Sequence, residues 1–299
     1  MVNFEHQSVM PSEVLDLLVT NPEGVYVDAT LGAGGHTGRL LERFPKIRLV
    51  GLDQDAKALE AAREHIQAFG GRALLIKGNF RYMEALLTSH GVVRVDGVLF
   101  DVGVSSPQLD HSERGFGYQN PEAPLDMRMD DDNPITAFRL VNQKPEQEIA
   151  QAIKDWGEER WASRIASFIV EARKVEPIRT SGQLVDVIKA AIPASARRTG
   201  GHPARRTFQA LRIWVNDELG ALEDGLDEAW KVLHPGGRIV AITFHSLEDR
   251  IVKHRFRDWQ KADEARLITK HPLTAGVAEL DGNPRARSAK LRVVEKLTV

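Results

Sequence analysis

The apolar positions of the first hundred residues fall into short runs that alternate with amphipathic stretches. Val25-Tyr26-Val27-Asp28 is a β-branched and aromatic run introduced by Gly24, and it leads into the glycine-rich turn Gly32-Ala33-Gly34-Gly35. This predicts strand, loop and helix, the helix running from His36 and Thr37 through Leu40, Leu41 and Phe44 and stopping before Pro45. Ile47 to Leu52 predicts a buried parallel strand ending at Asp53, and Ala56 to Phe69 has helical spacing through Leu59, Ala62, Ile66 and Phe69. Ala73 to Ile76 predicts a third strand and Val95 to Phe100 a fourth, which ends at Asp101. Strands and helices alternating in this way make an α/β protein with a doubly wound parallel sheet. The ligand crevice of such a sheet lies outside the carboxyl ends of its strands. Here those ends are Asp28, Asp53, Asn79 or Phe80, and Asp101.

After Asp101 the rhythm stops. From about Gln108 to Pro203 the pattern is helical with no convincing strand, as in Glu146 to Trp156 and Glu159 to Ala172, the latter with Trp161, Ile165, Phe168 and Ile169 on one face. Phe208 to Leu233 then reads as one long helical stretch, His234-Pro235-Gly236-Gly237 as a turn, and Arg238 to Phe244 as a fifth strand. The expected organisation is a sheet domain in two parts, 1–107 and 204–299, interrupted by an inserted helical substrate-recognition domain, 108–203.

Composition narrows the chemistry. With 299 residues, 42% hydrophobic and 27% charged, the chain is ordinary globular material long enough for a core domain plus a smaller unit. It has no cysteine, which removes disulfides, thiolate zinc sites and cysteine nucleophiles. No metal constellation with convincing ligand spacing is present in the sequence. Met1 to Leu18 carries Glu5, Glu13 and Asp16 and does not read as a signal peptide, and no apolar run approaches the roughly 18 residues of a membrane span. The expectation is a soluble, cytoplasmic protein. A formal net charge of −2 gives no global argument for a polyanionic partner. Locally, Arg197, Arg198, Arg205 and Arg206 form an acid-free cluster, and Arg285, Arg287, Lys290 and Arg292 form another. By composition alone these are solvated loops at least as readily as nucleic-acid surfaces. The oligomeric state stays open, a homodimer included.

The glycine turn after the first strand suits NAD, FAD or S-adenosylmethionine. Asp28, at the strand end, would repel a pyrophosphate but suits the ammonium of a methionine moiety. The sixth position of the dinucleotide pattern counted from Gly32 is Thr37, not glycine or alanine. Both points disfavour an NAD-dependent dehydrogenase. Asp53 is placed to accept hydrogen bonds from ribose hydroxyls, and Phe80 either stacks on an adenine or belongs to the core. Asp101-Val102-Gly103-Val104-Ser105-Ser106-Pro107-Gln108 follows the fourth strand, where a transferable methyl group would project. An exocyclic base amine is a poor nucleophile because its lone pair is delocalised into the ring, and a carboxylate that accepts its protons makes it more nucleophilic. Asp101 is therefore the candidate amine acceptor; the alternative is that it only orders the cofactor. Arg114, Phe116 and Tyr118 in Glu113-Arg114-Gly115-Phe116-Gly117-Tyr118, with Pro124-Leu125-Asp126-Met127-Arg128-Met129, read equally as a phosphate clamp with a base stacker or as a loop stitched by Arg to Asp salt bridges.

Taken together, Asp28-Ala-Thr-Leu-Gly-Ala-Gly-Gly-His36, Asp101-Val-Gly-Val-Ser-Ser-Pro-Gln-Leu-Asp110, Glu113-Arg-Gly-Phe116, Pro124-Leu-Asp-Met-Arg-Met129, His202 to Asn216, Phe244 to Lys253 and Asn283 to Ser288 resemble the MraW/RsmH family of bacterial small-subunit ribosomal RNA cytosine-N4 methyltransferases. The resemblance implies a Rossmann-like S-adenosylmethionine-dependent fold with a helical insertion and N4-methylation of a decoding-centre cytosine in 16S rRNA, or in the assembled small ribosomal subunit. It places cofactor contacts on Gly34, Gly35, His36, Asp53, Phe80, Asp101 and Gln108, to which charge logic adds Asp28. The Asp-Val-Gly-Val after the fourth strand lacks the stacking aromatic that DNA amine methyltransferases commonly carry there. Phe116, Tyr118 or Phe244 would supply it, Phe116 ranking first. His245 orients the base, relays a proton, or is structural. Arg197, Arg198, Arg205, Arg206, Arg285 and Arg287 become RNA-contact candidates. A methyltransferase acting on DNA or another RNA, and a non-catalytic S-adenosylmethionine-binding assembly factor, remain as alternatives.

Overall fold

The computed structural model describes residues 8–104, 108, 112–198 and 201–298. Ser105, Ser106 and the side chain of Arg198, all in segments singled out above, lie outside the described residues. The chain divides into two compact units, Met1–Ser106 with Leu219–Val299, and Pro107–Glu218.

The first unit is built on β1 (Val25–Asp28), β2 (Arg48–Asp53), β3 (Ala73–Lys77), β4 (Val95–Asp101), β5 (Leu233–Thr243), β6 (Ala265–Leu267) and β7 (Lys290–Lys296), in the spatial order β3-β2-β1-β4-β5-β7-β6. Strands β1 to β5 are parallel, and β7 and β6 close the sheet antiparallel. Strand order reverses between β1 and β4, which puts the switch-point crevice between the ends of those two strands. Successive side chains on a strand point to opposite faces, and the core divides accordingly. Val27, Val50, Val98, Phe100 and Ile239 lie on one face and pack with Leu222, Leu226, Val252 and Phe256. Tyr26, Leu49, Leu99, Val240 and Ile242 lie on the other and pack with Val14, Leu18, Leu40 and Leu41. The helices that supply those residues are α1 (Pro11–Leu18), α2 (Gly35–Arg43), α10 (Glu218–Val232) and α11 (Ser246–Lys261), with α3 (Ala56–Ile66) and α4 (Met83–Ser89) completing the crossovers.

The expected turn at 234–237 is looped out within β5. Leu233 still pairs with Val95, the ladder resumes at Gly97 and Arg238, and Gly236 takes the positive φ of 79° that the excursion needs. Strands β6 and β7 had no counterpart in the sequence reading. In Lys290-Leu-Arg-Val-Val-Glu-Lys296 charged residues stand among the apolar ones. The structure buries Arg292 against Asp249 and Glu295 against Arg238, so their charges are matched within the fold.

The second unit contains α5 (Ala137–Gln143), α6 (Glu146–Gly157), α7 (Ala162–Val175), α8 (Ser181–Ala191) and α9 (Arg205–Asn216). Helix α9 corrects the expected boundary at 203/204. A Cβ on Gly157 would lie 2.6 Å from Arg206 O, so the bare glycine lets the ends of α6 and α9 approach backbone to backbone. Arg206 and Gln209 donate to the carbonyls of Glu158 and Trp156 across that contact. The stretch expected to be one helix from Phe208 to Leu233 is two, broken at Asp217 (φ 47°, ψ 46°), whose N–H caps Ile213 O. The change of unit falls at that break.

Candidate active site

The glycine turn is held from beneath. Gly32 and Gly34 take positive φ of 53° and 80°, and the first turn of α2 then directs Thr37 back toward the end of β1. Thr37 Oγ1 donates to Asp28 Oδ2 at 2.8 Å and Thr30 N donates to Asp28 Oδ1 at 3.3 Å. Asp28 is only 2% exposed. Burial, against the nearby His36 and the Thr37 hydroxyl, raises its carboxyl above the ordinary range. The sequence reading set Asp28 to face a bound ammonium; the structure turns it inward, where it ties the turn to α2. Thr37, read only as a departure from the dinucleotide pattern, is the partner that makes this possible. A hydroxyl in the first helical turn after a strand-end acid was the available signal.

Asp53 closes the other side of the turn. Its Oδ2 accepts from Gly32 N at 2.8 Å and its Oδ1 from Asp55 N at 2.9 Å. Each oxygen keeps a lone pair for a further donor. Burial pushes its pKa up to about 6, and the two backbone N–H groups hold it from rising further. Phe80 follows β3 and is half-buried, its ring edge-on to Phe100 at 5.5 Å and seated over Gly225. Of the alternative stated for Phe80, the structure shows the core packing, and the ring is only half-buried.

Asp101 ends β4, one strand from Asp28. Its N–H donates to Thr30 Oγ1 at 2.6 Å, and its Oδ2 lies 3.4 Å from His36 Nε2. The His36 Nε2 and Asp101 Oδ1 atoms are buried without a hydrogen-bond partner among the described residues. Two such groups at a strand-end crevice leave hydrogen-bonding capacity open to a ligand. On the neighbouring strand, the Phe244 ring lies against Gly103, where an added Cβ would touch it at 3.4 Å. His245 caps α11, accepting from Glu248 N, and its Nε2 is 3.0 Å from Glu248 Oε1. Glu248 in turn accepts from Phe244 N at 2.7 Å. His245 is therefore a helix-capping residue in this structure, and Glu248, which the sequence reading missed, fixes the end of β5.

A family model described as the MraW methylase family matches residues 3–297. The chain belongs to the MraW methylase family. It is 54% identical to the ribosomal RNA small subunit methyltransferase H of Symbiobacterium thermophilum, over 98% of this chain and 97% of that protein. It is 53% identical to the protein of that name from Geobacter sulfurreducens, over 99% and 100%, and 50% identical to that from Heliobacterium modesticaldum, over 98% and 99%.

The remaining candidate residues of this MraW-family chain are distributed between the units. Gln108 falls in the second unit and is buried. Arg114 and Phe116, expected as exposed clamp and stacker, are 7% and 6% exposed. Arg114 donates to Arg128 O and lies over the Phe116 ring, while Arg128 bridges Asp126 through both oxygens. The segment is thus the stitched loop of the two readings, and Phe116 offers no open ring face. Tyr118 is already stacked on His202, ring centres 4.2 Å apart. That leaves Phe244 as the one of the three named aromatics that is half-buried at a strand end of the first unit. Arg197, Arg205 and Arg206 are exposed in the second unit. In the first unit Arg287 is exposed and Arg285 half-buried, in the short helical turn Pro284–Ser288. Among the described residues no helix is long and apolar enough to cross a membrane.

Proposed function

We propose that this chain transfers a methyl group from S-adenosylmethionine to the exocyclic N4 of a cytosine in small-subunit ribosomal RNA, the decoding-centre position that the family resemblance implies, and does so in the cytoplasm. The observation that carries the reading is Asp101 Oδ1, a buried carboxylate oxygen without a partner among the described residues, at the switch point of the sheet. The residues fit the cofactor. Gly34 and Gly35 keep side chains out of the turn, Asp53 retains acceptor capacity for ribose hydroxyls, and Phe80 is partly open. Gln108 is assigned with them on the strength of the family motif alone.

When bound, the cofactor supplies an electrophilic methyl on a sulfonium. Asp101 accepts hydrogen bonds from the base amine, concentrates its lone pair on nitrogen and takes up the proton it releases. His36, beside Asp101, holds that carboxylate in place, and Phe244 is the stacking surface for the base ring. Arg197, Arg205, Arg206 and Arg287 are surface cations suited to RNA phosphates. Nucleoside mass spectrometry of rRNA from cells with and without the protein tests the reading. Purified protein assayed on small subunits, 16S fragments and DNA oligonucleotides separates the substrates. Methylation of DNA alone, or binding without product on every substrate, would overturn it.

A further inference from the structure

A second cluster of polar groups lies away from the strand-end crevice, on the antiparallel edge of the first unit. Lys253 and Arg257 on α11, Lys270 just after β6, and Thr269 and Arg292 line one small cavity. Arg292 is committed: its guanidinium donates to Asp249 Oδ1 at 2.7 Å, and Lys290 takes Asp249 Oδ2 at 3.1 Å. With two cations already on Asp249, that carboxylate is spent. Lys253, Arg257 and Lys270 make no ion pair or side-chain hydrogen bond with any described residue. Thr269 is 8% exposed, and its hydroxyl oxygen accepts from Val293 N at 2.9 Å, which leaves the O–H proton to donate. Three uncompensated cations around a cavity with a buried hydroxyl donor form a place of positive potential that an anion would relieve.

We infer that this cavity binds a backbone phosphate of the RNA, an inference that rests on the RNA substrate proposed above. The phosphate sits against Thr269 and is flanked by Lys253, Arg257 and Lys270. A polynucleotide fits better than a free anion because the positive surface outruns the cavity. Arg250 is a further basic residue, exposed one turn earlier on α11, and with Lys253 and Arg257 it spans about two helical turns, roughly 10 Å of axis. The opposite side of the helix, with Leu247, Val252, Phe256 and Trp259, is buried. The site is separate from Arg285 and Arg287 and from every cofactor residue named above.

The test is the salt dependence of binding of a 16S rRNA transcript to the full-length protein and to the triple variant Lys253→Ala, Arg257→Ala, Lys270→Ala. Each lost phosphate contact lowers the slope of log K against log salt by about 0.7 for single-stranded RNA, so the triple variant, which loses this one phosphate, loses about 0.7. Affinity at 0.1 M salt falls about 5-fold by the same relation. S-adenosylmethionine binding by calorimetry stays at the wild-type value, which also checks the fold. Should the triple variant fold poorly, Arg257→Gln alone is expected to lower the slope in the same direction by a part of that ~0.7. An unchanged slope in a folded variant overturns the inference, and so does binding of inorganic phosphate at the cavity without any change in the RNA slope. Wild-type protein that binds RNA but transfers no methyl defeats the proposed activity while leaving this site standing; normal methylation with an unchanged slope defeats this site alone.

Discussion

His36 Nε2 lies 3.4 Å from Asp101 Oδ2, which joins the first turn of α2 to the carboxyl end of β4. His36 is 7% exposed, so packing fixes the imidazole beside one oxygen of the Asp101 carboxylate. A carboxylate fixed in this way is preorganised toward whatever donor meets its second oxygen. Asp101→Asn is expected to lower methyl transfer by two to three orders of magnitude, the usual cost of removing a preorganised electrostatic partner, with RNA affinity nearly unchanged. Single-turnover methylation together with RNA binding checks both halves, and normal turnover would remove Asp101 from the reaction.

Thr37→Val tests the support under the glycine turn. Valine matches the shape of threonine but leaves the buried Asp28 Oδ2 without its donor. The expected loss is about 1–3 kcal/mol of unfolding free energy in denaturant melts. Asp28→Asn should cost less, because it removes the buried charge that the hydroxyl stabilises. Equal stability of Thr37→Val and wild type would mean that the hydrogen bond carries no weight.

Asp53 gives a pH signature. Its carboxyl titrates near 6 in the folded protein, against an ordinary value of 3.8. The folded state therefore binds more protons between those values. This contribution to stability is fully present below 3.8 and lost as pH rises through 6. Asp53→Asn removes this pH dependence and, at a constant cost for losing one of the two backbone acceptors, should gain on wild type in the cofactor-free protein by on the order of 1–3 kcal/mol between about pH 4 and pH 8. The same substitution should weaken cofactor binding at pH 8. Thermal melts across pH compare the two proteins, and a pH-independent difference would contradict the burial account.

Gly115 is the tightest point of the stitched loop. It sits at φ 69°, and a Cβ there would lie 1.9 Å from Pro124 O. Gly115→Ala must move backbone and is expected to destabilise the protein by at least about 2 kcal/mol. Gly117→Ala, where nothing lies within 4 Å, serves as the control and should be nearly silent in the same melts.

The local chemistry of the chain was enough to announce β1 to β5 and the acids at their ends. Short continuous apolar runs and glycine punctuation act over a few residues, so Asp28, Asp53 and Asp101 could be placed at strand termini from their neighbours alone. Strands β6 and β7 were silent because Arg292 and Glu295 look like solvent-facing charges until Asp249 and Arg238 are brought beside them from more than 40 residues away.

Sequence by itself thus determined the sheet class, the interruption after Asp101 and, through the long motifs, the family. Tertiary structure alone decided that Asp28 faces Thr37 rather than a bound ammonium, that Arg114 and Phe116 are buried, and that α9 lies in the helical unit. Each of these depends on which surfaces meet: whether a polar side chain is spent inside the fold or left for a ligand is set by partners distant in the chain, which no local pattern encodes.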